Sequence, residues 1–236
     1  MECTGTERPV VVLSAGLGTS GTTFEALAKD LAARHRVCTY DRAGLGDSPP
    51  LGRDDPAPWP GNASDALAKV LAAHGEEPPY VLLGWSYGGL VVQSFTARHG
   101  DLVAGLVLED SSTAEQFVDR DWRAIRWEEG GRLVDTKRTA RALRRTDFGD
   151  RPVVVLTADE LSGRVARLWA GYHDRLTASS TDSVHVVAVD APHAIHESNE
   201  AIVAAAVDTV ASVVAEGGRL PACRATFHDV GGRCLE

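Results

Sequence analysis

The residues best suited to chemistry lie in Gly84-Trp85-Ser86-Tyr87-Gly88, with Gly89 directly after. This G-x-S-x-G pattern follows the apolar run Tyr80-Val81-Leu82-Leu83 and opens a helical pattern. On such a strand-to-helix turn the serine Oγ is exposed, and side chains at the flanking positions would clash, which explains the glycines. The chemistry this predicts is nucleophilic attack by Ser86 on a carbonyl or related acyl group. The start of the following helix directs N–H groups at developing negative charge. A second turn, Ser14-Ala15-Gly16-Leu17-Gly18, follows the first apolar run. The backbone amides of Leu17 and Tyr87 are therefore expected to form an oxyanion hole. Read instead as a phosphate cradle, this turn lacks the third glycine of G-x-G-x-x-G and a following lysine.

A serine nucleophile needs a base, and the base needs a carboxylate to orient it and stabilise its charged form. The expected chain order is Ser, acid, His. Of the eight histidines, His193 and His196 lie on the segment after the last apolar run, in Asp190-Ala191-Pro192-His193-Ala194-Ile195-His196-Glu197. His193 is nearer the strand end and is the expected base; His196 is expected behind it or facing solvent. Two places offer the acid. Asp110 ends Leu106-Val107-Leu108-Glu109, while Asp159 and Glu160 follow Val155-Leu156-Thr157-Ala158. The second place is the commoner one, but the usual offset of three residues, counted from Ala158, lands on Leu161. Asp110 is therefore preferred, with Asp159 or Glu160 as the alternative. This chemistry requires no metal or cofactor.

Holding these groups together requires a scaffold of strands and helices. Short apolar runs predict strands over 10–13, 36–40, 80–83, 103–108, 153–156 and 185–189. Helical spacing predicts helices over 24–33, 64–74 (capped by Ser64), 88–99 and 200–215. Alternation of the two implies right-handed βαβ units and an α/β fold: a mainly parallel sheet of about six strands with helices on both faces. Residues 49–61 are rich in Pro and Gly and read as loop. Residues 112–150 break the rhythm, with helical patterns and no clear strand, and read as a short helical cap insertion. Residues 217–236 read as a tail, and 1–236 as a single domain. Trp122, Trp127 and Trp169 are candidates either to line an apolar acyl pocket or simply to pack.

The chain of 236 residues is 44% apolar and 24% charged, enough for one large core, and its formal net charge is −9. An acidic balance argues against nucleic acid and against an anionic membrane surface. No apolar run reaches the ~18 residues of a membrane span. No signal-peptide pattern is present at Met1, although a removed leader would look the same. The expected partner is a small-molecule substrate; the pattern specifies no oligomeric state. The four cysteines form no C-x-x-C pair. Cys3 precedes the first strand and Cys38 sits in the second, so these two are candidates to lie side by side; Cys223 and Cys234 are candidates to close a loop in the tail. Disulfides imply an oxidising compartment, and four reduced thiols a cytoplasmic one.

With these pieces assembled, the chain resembles the α/β-hydrolase superfamily over about residues 9–215. Beyond the serine turn, Asp41-Arg42-Ala43-Gly44-Leu45-Gly46-Asp47-Ser48 resembles that superfamily's D-R-x-G-x-G-x-S segment. The nearest likeness is to actinobacterial esterase-like hydrolases, in which an A-G-L-G turn and paired cysteines at the places of Cys3 and Cys38 recur; that likeness implies a disulfide and export. It also implies hydrolysis of an ester or related acyl bond by Ser86, His193 and Asp110. Thioesterase, lactonase and peptidase readings keep the same three residues, and a non-hydrolytic, ligand-binding member of the fold is the reading from another class. Ser86 argues against dehalogenase and epoxide hydrolase relatives, which use Asp there. Departures are Ala15 and Trp85, where His is common, with Trp85 expected to alter the packing behind the nucleophile. The insertion is short, which implies an open site, and a leading β-hairpin is almost absent.

Overall fold

A computed structural model describes residues 1–122 and 124–235. In chain order the main elements are β1 (Glu2–Thr4), β2 (Val10–Ser14), α1 (Glu25–Leu31), β3 (Arg36–Thr39), α2 (Pro60–Ala73), β4 (Tyr80–Trp85), α3 (Tyr87–Arg98) and β5 (Val103–Glu109). They continue as β6 (Glu128–Glu129), β7 (Arg132–Leu133), α4 (Thr136–Ala142), β8 (Gly149–Ala158), α5 (Gly163–Thr177) and β9 (Ser180–Ala188). The chain closes with α6 (Ile195–Ser198), α7 (Glu200–Glu216), α8 (Cys223–Phe227) and β10 (Gly232–Cys234).

Eight strands form one sheet in the order β1-β3-β2-β4-β5-β8-β9-β10. The inner six are parallel and correspond to the six apolar runs. The expectation of six strands is corrected by β1 and β10, three-residue strands that pair antiparallel to β3 and β9. Neither carries an apolar run, because each is an outer strand that is only partly covered. Each is tied by a disulfide. Cys3 lies directly opposite Cys38 and is bonded to it, and Cys234 is bonded to Cys223 of α8.

The inner strands are wholly apolar because both sheet faces are covered. Val11, Leu13, Val81, Leu83, Val107 and Leu156 pack under α1 and α7. Their neighbours Val10, Val12, Leu82, Leu106, Val153 and Val155 pack on the other face, under α2, α3 and α5. Each such buried side chain stabilises the fold by about 1.5–3 kcal/mol relative to exposure.

Three further expectations change. Helix α2 begins at Pro60, so Ser64 is not its cap; it lies in the second turn and its Oγ donates to Gly61 O at 3.0 Å. Helix α5 occupies a stretch for which no element was expected. The insertion over 112–150 is not purely helical: it contains single 3₁₀ turns, α4 and the hairpin β6–β7. That hairpin turns through Gly130 and Gly131, both at positive φ, and is too short to leave a periodic signal.

Candidate active site

The site lies where parallel strands end, the usual place for ligands in open α/β sheets. Strand β4 stops at Trp85 and α3 starts at Tyr87, leaving Ser86 alone on the turn with φ 53° and ψ −119°. A non-glycine residue with positive φ is strained, and the surroundings hold this one in place. Ser86 N donates to Glu109 O at 3.0 Å, and its carbonyl accepts from Gly89 N and Ser112 N at 2.9 Å each. A side chain at Gly88 would overlap Ser14 O, and one at Gly89 would overlap Ser111. These glycines let the turn press against β2 and β5.

Ser86 Oγ is 2.9 Å from His193 Nε2, and His193 Nδ1 is 2.6 Å from Asp110 Oδ2. A carboxylate only accepts, so Nδ1–H donates to Asp110 and Nε2 of the neutral ring is free to accept the Ser86 proton. The loop after β9 brings His193 in, and Trp85 fixes it: its indole Nε1 donates to His193 O at 2.8 Å. Asp110 follows β5, has φ 37° and is 2% exposed. Its Oδ1 accepts from Trp169 Nε1 at 2.7 Å and from Ala158 N at 3.0 Å. Burial alone would raise the Asp110 carboxyl; the His193 hydrogen bond, nearby imidazoles and the Ala158 amide outweigh it and hold the group below its ordinary value. Burial likewise pulls His193 down, but the hydrogen bond and charge of Asp110 leave it raised above an ordinary imidazole.

The alternative acids lie elsewhere. Asp159 and Glu160 are exposed, and Asp159 Oδ1 is 3.7 Å from Arg233. Leu17 packs in the same cluster as the buried Tyr87 ring, and Tyr87 as first residue of α3 has an N–H without an intrahelical partner.

A family profile described as alpha/beta hydrolase fold matches residues 9–174. The chain belongs to this family. Within the alpha/beta hydrolases it is similar to a pimeloyl-(acyl-carrier protein) methyl ester esterase of Chromobacterium violaceum, 42% identical over 115 residues, 48% of this chain and 41% of that protein. The chain thus matches less than half the length of that curated relative. A longer match is to protein YqjL of Bacillus subtilis, 25% identical over 86% of this chain and 83% of that protein. Among solved structures, an esterase from Thermogutta terrifontis shares the fold, with TM-score 0.62, 21% identity and coverage of 88% of this chain and 90% of that one.

Several side chains around this alpha/beta hydrolase site carry no motif. His196 lies behind His193, buried, with Nδ1 2.7 Å from Glu109 Oε1 and Nε2 3.0 Å from Thr23 Oγ1. Its ring packs edge-on to Trp85. Behind Asp110, His173 Nε2 donates to Ser111 O at 2.9 Å, and Thr157 Oγ1 lies 2.6 Å from both His173 Nδ1 and His185 Nε2. Burial pushes His173 down to about 4. Trp169 holds the carboxylate, Trp122 stacks on Trp169, and Trp127 packs on Phe117 and Tyr87. The sequence names Trp169 only as a candidate to line a pocket or to pack; its place beside Tyr172 and His173 on the buried face of α5 is given by the fold.

Proposed function

We propose that this chain is a serine esterase that hydrolyses an ester bond of a small apolar substrate, acting as a single domain. Ser86 is the nucleophile, His193 the general base and acid, Asp110 its carboxylate partner, and the Leu17 and Tyr87 amides hold the oxyanion. The observation that carries this is the unbroken row from Ser86 Oγ through both nitrogens of His193 to Asp110 Oδ2.

Ser86 Oγ bonds to the ester carbon as its proton passes to His193 Nε2, and Asp110 stabilises the imidazolium that results. The tetrahedral intermediate puts negative charge on the former carbonyl oxygen, where two backbone N–H groups are each worth about 10²–10³ in rate. Collapse breaks the bond to the alcohol, which leaves with the proton from His193. Water then attacks the acyl-serine, gives a proton to His193, and the acid leaves as Ser86 recovers its hydrogen.

The ester bond named in the Chromobacterium relative supports this choice over an amide substrate. The test is labelling by a fluorophosphonate, together with turnover of p-nitrophenyl esters of increasing chain length. Wild type should label and Ser86→Ala should not; an unlabelled wild type, or equal labelling of the two, would overturn the esterase reading in favour of a ligand-binding one. The two disulfides support an oxidising compartment such as the cell exterior. No helix among the described residues is long and apolar enough to cross a membrane. Protein isolated from its native host under thiol-trapping, denaturing conditions should show no free thiol; four free thiols would place it in the cytoplasm.

A further inference from the structure

We infer that Arg42, held by Glu129 of the β6–β7 hairpin, is a positioning residue that sets the Leu17 half of the oxyanion hole; this rests on the esterase reading above. Arg42 is 5% exposed and Glu129 4% exposed, so the pair is a buried one. Arg42 Nη1 donates to Ala15 O at 2.7 Å and Nη2 to Gly16 O at 2.6 Å. Its Nε donates to Glu129 Oε1. The other carboxylate oxygen, Oε2, accepts from Gly18 N at 2.8 Å.

These contacts bracket one residue. Gly16 O and Leu17 N–H belong to the same peptide plane, and in a trans peptide they point in opposite directions. Pinning Gly16 O on Arg42 therefore aims the Leu17 N–H away from the guanidinium. Pinning Gly18 N–H on Glu129 fixes the next peptide plane. Both planes flanking Leu17 are thus set by one ion pair. A cation on the carbonyl side also polarises the amide and strengthens its N–H as a donor. The guanidinium also sits 5.4 Å from the centre of the Tyr87 ring, which packs in the same cluster as Leu17. Arg42 comes from the segment after β3 and Glu129 from the insertion, so the β6–β7 hairpin is joined to the turn after β2 through this pair.

The experiment compares Arg42→Met/Glu129→Gln, which removes both charges and so leaves neither one buried alone, with Arg42→Lys, which keeps the cation but loses the planar fork. Readouts are kcat and KM for p-nitrophenyl butyrate, the acid limb of the pH profile, and affinity for phenylboronic acid, whose serine adduct places an oxygen where the oxyanion would form. The folded double variant should lose about 10²-fold in kcat, the scale of one oxyanion donor, with KM within about threefold. Phenylboronic acid should weaken in parallel, while the acid limb, set by His193 and Asp110, stays in place. Arg42→Lys should fall between, near tenfold. A folded double variant within about threefold of wild-type kcat overturns the inference, as does unaltered boronate affinity. Should the double variant not fold, wild-type kcat in Arg42→Lys overturns it equally. A wild type inert toward the ester sinks the esterase reading and this inference with it, whereas an active wild type matched by its variants sinks the inference alone.

Discussion

Replacing Asp110 by Asn tests the assignment of the acid with the least change of shape. In the wild type, Oδ1 is fixed by two donors, Trp169 Nε1 and Ala158 N, and Oδ2 faces His193 Nδ1. An asparagine has one oxygen and one NH₂ group. Two donors on one side demand the oxygen there, so the NH₂ must face His193. A donor opposite Nδ1 forces the ring to present its lone pair at Nδ1 and carry its hydrogen on Nε2. That hydrogen then points at Ser86 Oγ, and the ring cannot take the serine proton. The same change in another Ser-His-Asp hydrolase costs about 10⁴ in kcat, or about 5.5 kcal/mol of barrier. Asp110→Asn should therefore lose about 10⁴-fold in kcat for a p-nitrophenyl ester while fluorophosphonate labelling slows in step. Adding Trp169→Phe removes one of the two donors that lock the amide, so the double variant should recover part of the loss. Asp159→Asn and Glu160→Gln should each stay within about threefold of wild type. Activity of Asp110→Asn within tenfold of wild type, or equal damage from Asp159→Asn, would refute the reasoning.

Other predictions concern proton balance and strain. Because Asp110 raises His193, kcat/KM should fall on acidification with a midpoint above the ordinary imidazole value of about 6.5, the limb reflecting loss of the neutral base; a midpoint below 6.5 would contradict the pairing. His173 is buried neutral at about 4, so the unfolded chain binds its proton first. The stability it contributes is present above about pH 6.5 and lost as pH falls toward 4, at most about 3 kcal/mol; urea titrations of wild type and His173→Gln across that window should show a smaller slope in the variant. Ser86→Gly should abolish turnover yet raise stability by about 1 kcal/mol, since relief of a positive φ outweighs the added freedom of the unfolded chain; a lower melting temperature than wild type would count against strain at the turn.

Much of this arrangement is legible in the residues themselves. The inner strands announce themselves because both of their faces are buried, and Ser86 is marked by glycines that close packing requires. His193 follows from chain order and its nearness to a strand end, whereas chain order leaves Asp110, Asp159 and Glu160 open and only the failed offset after Ala158 favours Asp110. The structure brings Asp110 and His193 into line with Ser86. Other features leave little trace. Strands β1 and β10 are short and half-covered, so neither period nor composition marks them. In α5 the apolar residues Val165, Leu168, Trp169, Tyr172 and Leu176 do recur at helical spacing, but Arg164, Arg167, Asp174 and Arg175 are interleaved with them. Glu129 has no local signal, because its role depends on an arginine 87 positions earlier in the chain. Long-range pairs of this kind are made by packing, which a single sequence does not display.

The two outer strands have a bearing on how the protein withstands damage. An open parallel sheet offers unpaired N–H and C=O groups along each margin, a template on which another chain can add. Here the outermost strand at each margin is an antiparallel one of only three residues, too short to template much pairing, and each is fastened covalently, one through Cys3 and Cys38 and the other through Cys223 and Cys234. None of these four cysteines touches the row from Ser86 to Asp110. Reduction would therefore leave the chemistry of the centre in place while loosening both borders of the sheet, exposing β3 and β9 to intermolecular strand addition. In a reducing medium the protein should be lost first to self-association, before the row from Ser86 to Asp110 is disturbed.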